Sequence, residues 1–209
     1  MNYHNITYPD MNNGDGLRVV LWLSGCSHHC YNCQNPQTWD ANSGIPFDES
    51  ARKELFRELD KDYISGLTLT GGDPLFESNL DGVLDLVTEI NKRYNFQKVD
   101  SANPCKMGVS DVKNSDEIRL SFPNKSIWIY SGYSWNQVMS PVITDDFNPN
   151  RDELLYKRKE IVKKCNVMVD GRYIDSKRDI TLKWRGSSNQ RVINIRKSLE
   201  KNKIILYCD

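Results

Sequence analysis

Three cysteines within one short segment are the strongest chemical signal in the sequence. Cys26, Cys30 and Cys33 follow the spacing C-x3-C-x2-C, with no obvious fourth thiolate nearby. Structural zinc takes four ligands, usually from two pairs of residues, and ordinary ferredoxin clusters take four cysteines. Three thiolates would instead leave one iron of a four-iron cluster open, which suits a cluster that performs chemistry rather than one that only carries electrons.

An open iron can chelate a molecule through an amine and a carboxylate, and S-adenosylmethionine (SAM) carries both groups. The spacing therefore favours a SAM-binding iron–sulfur cluster. Two other interpretations stay open at this point. Structural cysteines can show this spacing by coincidence, and His28 or His29 could supply the fourth ligand of a zinc site. Both histidines lie close to Cys30, which makes tetrahedral ligation awkward, so we expect them to be exposed polar residues of the loop.

The elements that must position these cysteines are predicted from hydrophobic periodicity. Strands are expected at residues 17–23, 66–70, 126–130, 166–169 and near 203–207, and helices at 49–60, 78–94 and 152–164. Ser78 followed by Asp81 suggests a capping box at the start of the second helix. Strands that alternate with amphipathic helices predict an α/β fold with parallel βαβ units. Residues 97–125 and 140–151 do not fit this rhythm and are expected to be insertions.

Three unusual loops follow the first three predicted strands. The cysteine loop follows the first, Gly71-Gly72-Asp73-Pro74 the second, and Ser131-Gly132-Tyr133 the third. Because the carboxyl ends of parallel strands share one edge of a sheet, we expect these loops to meet there. Glycines let a ligand approach the backbone closely, and Asp73 adds an acidic acceptor. The polar residues 185–191 are costly to bury unless hydrogen-bonded, so we expect them to face a cleft or a partner.

Length and composition exclude several classes of protein. The 209 residues predict one domain, since domains usually hold about 100–200 residues. The 28 basic and 28 acidic residues cancel, so there is no basic excess for binding nucleic acid or an anionic membrane. No apolar run approaches the roughly 18 residues of a membrane helix, and the start lacks a signal-peptide pattern. We therefore expect a cytoplasmic protein with neither a nucleic-acid nor a membrane partner.

The sequence resembles a known family through several motifs that keep the family's order along the chain. They are Met1-Asn2-Tyr3-His4, residues 13–18, residues 24–35 with Thr38-Trp39, residues 69–75, residues 127–133, residues 169–173 and residues 184–191. A C-x3-C-x2-C segment after the first strand is the signature of radical SAM enzymes. The ordered set is similar to the activating proteins of anaerobic ribonucleoside-triphosphate reductase, the class III ribonucleotide reductase.

The resemblance implies one radical SAM domain over residues 1–209, built as a partial (β/α) barrel with two insertions. Cys26, Cys30 and Cys33 would hold a [4Fe–4S] cluster. An electron from a flavodoxin-type donor would cleave SAM to methionine and a 5′-deoxyadenosyl radical. That radical would remove a hydrogen atom from a glycine of the partner reductase and leave a glycyl radical there.

The resemblance also assigns the contacts to SAM. The loop at Gly71, Gly72 and Asp73 would receive the amino group of the methionine part, and Asn32 would contact the adenine end. Asn32 stands where many radical SAM enzymes carry an aromatic residue, which weakens the case for stacking on the adenine. Residues 130–133 could line the adenosyl pocket or form a turn with buried tyrosines.

Two other functions remain in competition. The protein could activate another glycyl radical enzyme of the formate-lyase type, although the 185–191 loop and the short chain favour the reductase. It could also be a non-catalytic adaptor that holds structural zinc. Three further cysteines match none of the motifs: Cys105, Cys165 and Cys208. Cys165 is expected to be a small buried apolar residue of a helix end.

Overall fold

A computed structural model describes residues 1–94, 124–141 and 148–208 of the chain. The strands are β1 (Asn2–Asp10), β2 (Leu17–Leu23), β3 (Ile45–Pro46), β4 (Ile64–Gly71), β5 (Ser126–Ser131), β6 (Val167–Asp170) and β7 (Arg191–Asn194). The α-helices are α1 (Glu49–Leu59), α2 (Leu80–Tyr94), α3 (Trp135–Met139), α4 (Pro149–Lys164) and α5 (Ile195–Lys201). Short 3-10 turns occupy Pro36–Thr38, Glu77–Asn79 and Asp175–Lys177.

All of these strands form one sheet in the order β3-β1-β2-β4-β5-β6-β7. The four strands β2, β4, β5 and β6 are parallel, and they are the first four strands that the sequence predicts. On the two sides, β1, β3 and β7 pair in the antiparallel sense. The fold is therefore mixed α/β with a seven-stranded sheet around a parallel centre, which confirms the predicted class.

The helices pack on one face of the sheet, because strand residues alternate between the two faces. In β5, Ile127 and Ile129 join the large core under the helices, together with Leu55 of α1 and Val83 of α2. Trp128 of the same strand lies on the opposite face, where it is the largest residue of a smaller apolar cluster. The other members of that cluster are Val167, Val169 and Val192, with Tyr130, Trp184 and Cys208 packed against them. The parallel strands are thus buried on both faces.

A buried arginine joins the three central strands on this second face. The guanidinium of Arg18 donates to Thr68 Oγ1 at 2.6 Å, to the Leu67 carbonyl at 2.6 Å and to the Ser126 carbonyl at 2.9 Å. It also lies over the ring of Trp128, 5.3 Å from the centroid. Burial lowers the pKa of Arg18 to about 10, which leaves the group charged at neutral pH. The charge is held by neutral oxygens and an aromatic face.

The start of α2 differs from the prediction. Ser78 lies inside the 3-10 turn that precedes the helix, and no side-chain cap forms there, so the predicted capping box is wrong. Asn79 of this turn is buried, and its Nδ2 donates to the carbonyls of Ser24 at 2.7 Å and Asp73 at 3.0 Å. The turn thus ties the end of β2 to the loop after β4.

Other elements also depart from the predictions. None of β1, β3, β7, α3 and α5 was predicted. Residues 203–207 form only an isolated bridge, Leu206 to Ile193, instead of a strand. Helix α4 begins at Pro149 with Asn148 as its cap, so the end of the expected 140–151 insertion is helical.

Most of the two expected insertions lies outside the described residues. This holds for 97–123 with Cys105 and for 142–147, whereas residues 124–125 lead directly into β5. Among the described residues, no helix has the length and apolar character that crossing a membrane requires.

Candidate functional site

A cavity of about 480 Å³ lies where the parallel strands end. This volume is within the roughly 300–1,000 Å³ of typical ligand pockets. The cavity is lined by the three cysteines Cys26, Cys30 and Cys33, by residues 71–73, by residues 130–132, and by Tyr173, Trp184, Arg185, Gly186 and Gln190. The three loops expected at one edge of the sheet therefore do meet, and the 185–191 loop faces the same cleft.

The three cysteines are free thiols, each of them half-buried. A tight turn links two of them, since the Cys33 amide donates to the Cys30 carbonyl at 3.1 Å. Burial raises the pKa of the Cys26 thiol to about 11, so a metal that binds there must displace a proton. Three soft sulfur donors on one cavity wall suit iron–sulfur or zinc chemistry. The thiols do not form a ready-made ligand group, since no three His, Cys, Asp or Glu side chains among residues 1–94, 124–141 and 148–208 are arranged to hold a metal ion.

Backbone contacts fix the base of the cysteine loop. The Cys26 amide donates to the Trp39 carbonyl at 3.0 Å, and the Asp73 amide donates to the Gly25 carbonyl at 2.7 Å. A Cβ atom at Gly72 would lie 2.5 Å from the Gly25 oxygen, which is too close for any side chain. The contact between the two loops therefore requires glycine at position 72, and the absence of a side chain there also leaves room for a ligand to approach the backbone.

The carboxylate of Asp73 connects all three loops. Its Oδ1 accepts from the Leu75 amide at 2.8 Å and from Ser131 Oγ at 2.9 Å. Its Oδ2 accepts from the Gly132 amide at 3.0 Å and lies 2.8 Å from His28 Nε2. The Asp73 side chain is only 2% exposed. Asp73 thus joins the three loops through its nearly buried carboxylate, and its predicted contact with an amino group stays a prediction.

The prediction that both histidines are exposed is wrong for His28. Its side chain is 12% exposed, and its ring packs edge-on against Tyr133 at 4.7 Å between centroids. His29 is exposed, as predicted, and its ring lies near that of Trp39. Nε2 of His28 is engaged with Asp73, so this ring does not complete a zinc site through that atom. No local pattern reveals the contact, because the two residues are 45 positions apart.

Asn32 occupies an exposed turn with a φ of +54°. Asparagine is one of the few residues that tolerate this left-handed conformation, which gives a local reason for its presence. The cysteine-loop residues on the cavity wall are Cys26, His28, Cys30, Cys33, Gln34 and Asn35. The predicted contact of Asn32 with adenine therefore remains without a structural counterpart among the described residues.

Two buried polar atoms on the cavity wall have no hydrogen-bond partner among the described residues. They are the hydroxyl of Tyr130 and Nε of Arg185. Burial also raises the pKa of the Tyr130 phenol, which keeps it protonated. Leaving such groups unsatisfied is costly, so the two atoms are available to bind a polar ligand in the cavity. Both residues lie in segments that were predicted near the site, but no sequence pattern indicates that these two atoms lack a partner.

A fourth wall of the cavity follows β6. Asp170 is buried, accepts from the Trp135 amide at 2.7 Å and pairs with Arg191 Nε at 3.0 Å. Nε2 of Gln190 donates to the Gly171 carbonyl at 2.9 Å and closes the loop. The resemblance included these residues but gave them no roles. Away from the cavity, Cys165 is buried, as predicted.

The families and proteins that this chain is similar to are consistent with an iron–sulfur site at the three cysteines. A family model described as a 4Fe-4S single cluster domain matches residues 12–103 and 112–193. The match and the three cavity thiols place the chain among single-cluster iron–sulfur proteins.

Individual relatives identify a more specific family within the iron–sulfur proteins. The anaerobic ribonucleoside-triphosphate reductase-activating protein of Escherichia coli K12 is 33% identical over 198 residues, covering 94% of this chain and 100% of that protein. The protein of the same name from phage T4 is 34% identical over 194 residues, covering 92% and 93%. That from Vibrio cholerae is 30% identical over 192 residues, covering 91% and 96%. The chain belongs to the family of anaerobic ribonucleoside-triphosphate reductase-activating proteins, and the resemblance is confirmed.

Proposed function

We propose that the protein is a radical SAM oxidoreductase that generates the glycyl radical of an anaerobic ribonucleotide reductase. The observation that carries this proposal is one cavity that combines the three thiols with two unpartnered polar groups, in a chain of this family. When bound, a [4Fe–4S] cluster supplies the electron that splits SAM into methionine and a 5′-deoxyadenosyl radical, which takes a hydrogen atom from a glycine of the reductase. Removal of a hydrogen atom by a radical needs no general base.

The residues of the cavity have distinct proposed roles. Cys26, Cys30 and Cys33 hold the cluster. The backbone of residues 71–73 receives the amino end of SAM. Nε of Arg185 suits a carboxylate, since it is a charged donor without a partner among the described residues, and the Tyr130 hydroxyl suits a ribose hydroxyl. Asn32 contacts the adenine end in this proposal only if its exposed turn closes over the ligand.

The proposed architecture is a single radical SAM domain over residues 1–209, formed as a partial (β/α) barrel. Four parallel strands with helices on one face and a ligand cavity at their carboxyl ends support it. Free thiols support a reducing, cytoplasmic setting.

A flavodoxin-type protein is the proposed electron donor. Cys30 lines the main cavity and also a second depression of about 500 Å³ on the surface. Tyr31, which is 78% exposed, and Arg172 share that depression. One cluster ligand therefore reaches the surface at a place where a donor can approach.

The test is anaerobic reconstitution followed by SAM cleavage and electron paramagnetic resonance. The protein should hold about four irons and cleave SAM when reduced. Alanine at Cys26, Cys30 or Cys33 should abolish cleavage, whereas Cys208→Ser, outside the cavity, should retain it. Incubation with an anaerobic ribonucleotide reductase should yield a glycyl radical signal.

Each alternative predicts a different result. A signal on a formate-lyase type enzyme, and none on the reductase, would identify the protein as that enzyme's activase. Stoichiometric zinc without iron would show a structural adaptor. Cleavage that survives any one of the three cavity substitutions would refute the ligand role of that cysteine.

A further inference from the structure

His28 lies inside the cysteine loop, yet its ring turns away from the solvent toward the loop after β4. We propose that His28 is a positioning residue that acts through Asp73 and fixes the cluster loop against the loop that receives SAM. This inference rests on the proposed function, because it concerns the relative placement of its two binding loops. His28 itself transfers neither a proton nor an electron in this role.

The first support is the bond between two well-buried side chains. His28 Nε2 lies 2.8 Å from Asp73 Oδ2, and the side chains are 12% and 2% exposed. The remaining bonds of the carboxylate go to Leu75 in its own loop, to Ser131 at the end of β5 and to Gly132 directly after it. His28 therefore joins the cysteine loop to a carboxylate that already links the other two. An Nε2 proton is sufficient for this bond, whether the ring is neutral or charged.

The second support is the fit around the ring. A methyl group at position 132 would lie 2.2 Å from Cδ2 of His28, so glycine at that position leaves the space that the imidazole fills. Tyr133 covers the ring edge-on, and Arg158 lies over Tyr133 at 4.5 Å from its centroid. Arg172 donates to the His28 carbonyl from the fourth wall. The ring and its backbone are thus held from both sides.

The third support is the shape of the loop around the cysteines. His29 and Asn32 adopt φ angles of +44° and +54°, so the chain turns sharply on both sides of Cys30. The hydrogen bond from the Cys33 amide to the Cys30 carbonyl is internal to this turn and sets no distance to β4. His28 supplies a side-chain bond between the segment around Cys30 and the loop after β4, in addition to the backbone bond from the Asp73 amide to the Gly25 carbonyl at the base of the cysteine loop.

The experiment compares two identical substitutions at neighbouring positions, His28→Asn and His29→Asn. Asparagine at position 28 is too short to reach Asp73, and at position 29 it suits the left-handed backbone. Both variants should bind the same amount of iron. His28→Asn should weaken SAM binding about tenfold if the released loop holds the binding-competent arrangement only about one-tenth of the time, because the apparent affinity falls with that fraction. Binding is measured from the change that SAM causes in the resonance spectrum of the reduced cluster, and KM for SAM should rise more than kcat falls.

A second readout uses the metal-free protein and is independent of activity. Iodoacetamide should label Cys30 faster in His28→Asn than in the wild type, because the loop is no longer held, and His29→Asn should match the wild type. Gly132→Ala should reproduce the His28→Asn pattern, since it displaces the ring without changing it. His28→Gln, whose amide can donate to the carboxylate, should restore part of the affinity.

Equal SAM affinity and equal labelling in the two asparagine variants would overturn the proposal. If His28→Asn also lost iron, the labelling of the metal-free proteins would decide: faster labelling supports the positioning role, and unchanged labelling overturns it. A wild-type protein that fails to cleave SAM would refute the proposed function instead. The labelling comparison would still show whether His28 holds the loop.

Discussion

Replacing the Asp73 carboxylate by an amide tests the organisation of the site. In Asp73→Asn, one of the two oxygens becomes an NH2 group. Whichever way the amide turns, that group faces a backbone N–H, either that of Gly132 or that of Leu75. One buried amide then loses its acceptor, which costs about 1–3 kcal/mol, and the remaining bonds lose the strengthening that a charge gives, about 1 kcal/mol in total.

We therefore expect Asp73→Asn to lower the unfolding free energy of the metal-free protein by about 2–4 kcal/mol. For a chain of this size, that corresponds to a fall in Tm of roughly 4–16 °C. Urea unfolding followed by circular dichroism measures the change. The matched control is Asp81→Asn on α2, where the side chain is 83% exposed and pairs with Lys157 at 2.7 Å. This control should lose no more than about 1 kcal/mol.

The comparison has a clear refuting result. If Asp73→Asn unfolded within about 1 kcal/mol of Asp81→Asn, the carboxylate would not be holding the three loops together. The hydrogen-bond geometry at Oδ1 and Oδ2 would then be a poor guide to the energetics of the site.

Three further predictions follow from other contacts. Gly72→Ala places a methyl group 2.5 Å from the Gly25 oxygen and should reduce SAM cleavage by at least about tenfold. The control Gly82→Ala on α2 should leave cleavage unchanged, and equal rates in the two variants would contradict the close contact. Arg18→Met removes the donor to the buried Thr68 hydroxyl and to the Leu67 carbonyl and should cost about 1–3 kcal/mol in urea unfolding; no measurable loss would argue against its link between strands. In metal-free protein, the rate at which iodoacetamide labels Cys26 should keep rising from pH 8 towards the thiol pKa of about 11, because only the thiolate reacts. A plateau in the labelling rate near pH 9 would show that burial does not raise this pKa.

The parallel centre of the sheet could be predicted because its strands carry their own signal. Leu17–Leu23 is almost continuously apolar, as expected for a strand buried on both faces. Asn2–Asp10 mixes asparagine, histidine and proline, and its burial alternates irregularly. Its pairing with β2 depends on side chains and backbone that lie elsewhere in the chain. Arg191–Asn194 has two apolar residues between a charged and a polar end, whereas the equally short β6 has three consecutive apolar residues.

The site was predictable to the same extent and for the same reason. Loops that follow parallel strands must share an edge, so the meeting of the cysteine loop with residues 71–73 and 130–132 follows from topology. The individual hydrogen-bond partners within these loops do not follow from topology. His28 finds Asp73 across 45 positions, and Asp170 finds Arg191 across 21, through packing that no local pattern encodes.

The guanidinium of Arg18 has a consequence for how the molecule opens. Strands β2, β4 and β5 share a hydrogen-bonded ladder and are also cross-linked by this one side chain, so they should exchange their amide protons as one cooperative unit. Three walls of the cavity are rooted in that unit. The wall between β6 and β7 contains turns, a short 3-10 segment and one isolated bridge between Arg178 and Ser187. The amides of this wall should therefore exchange faster than those of the three strands, so that local opening on this side exposes the cavity while the strand unit stays intact.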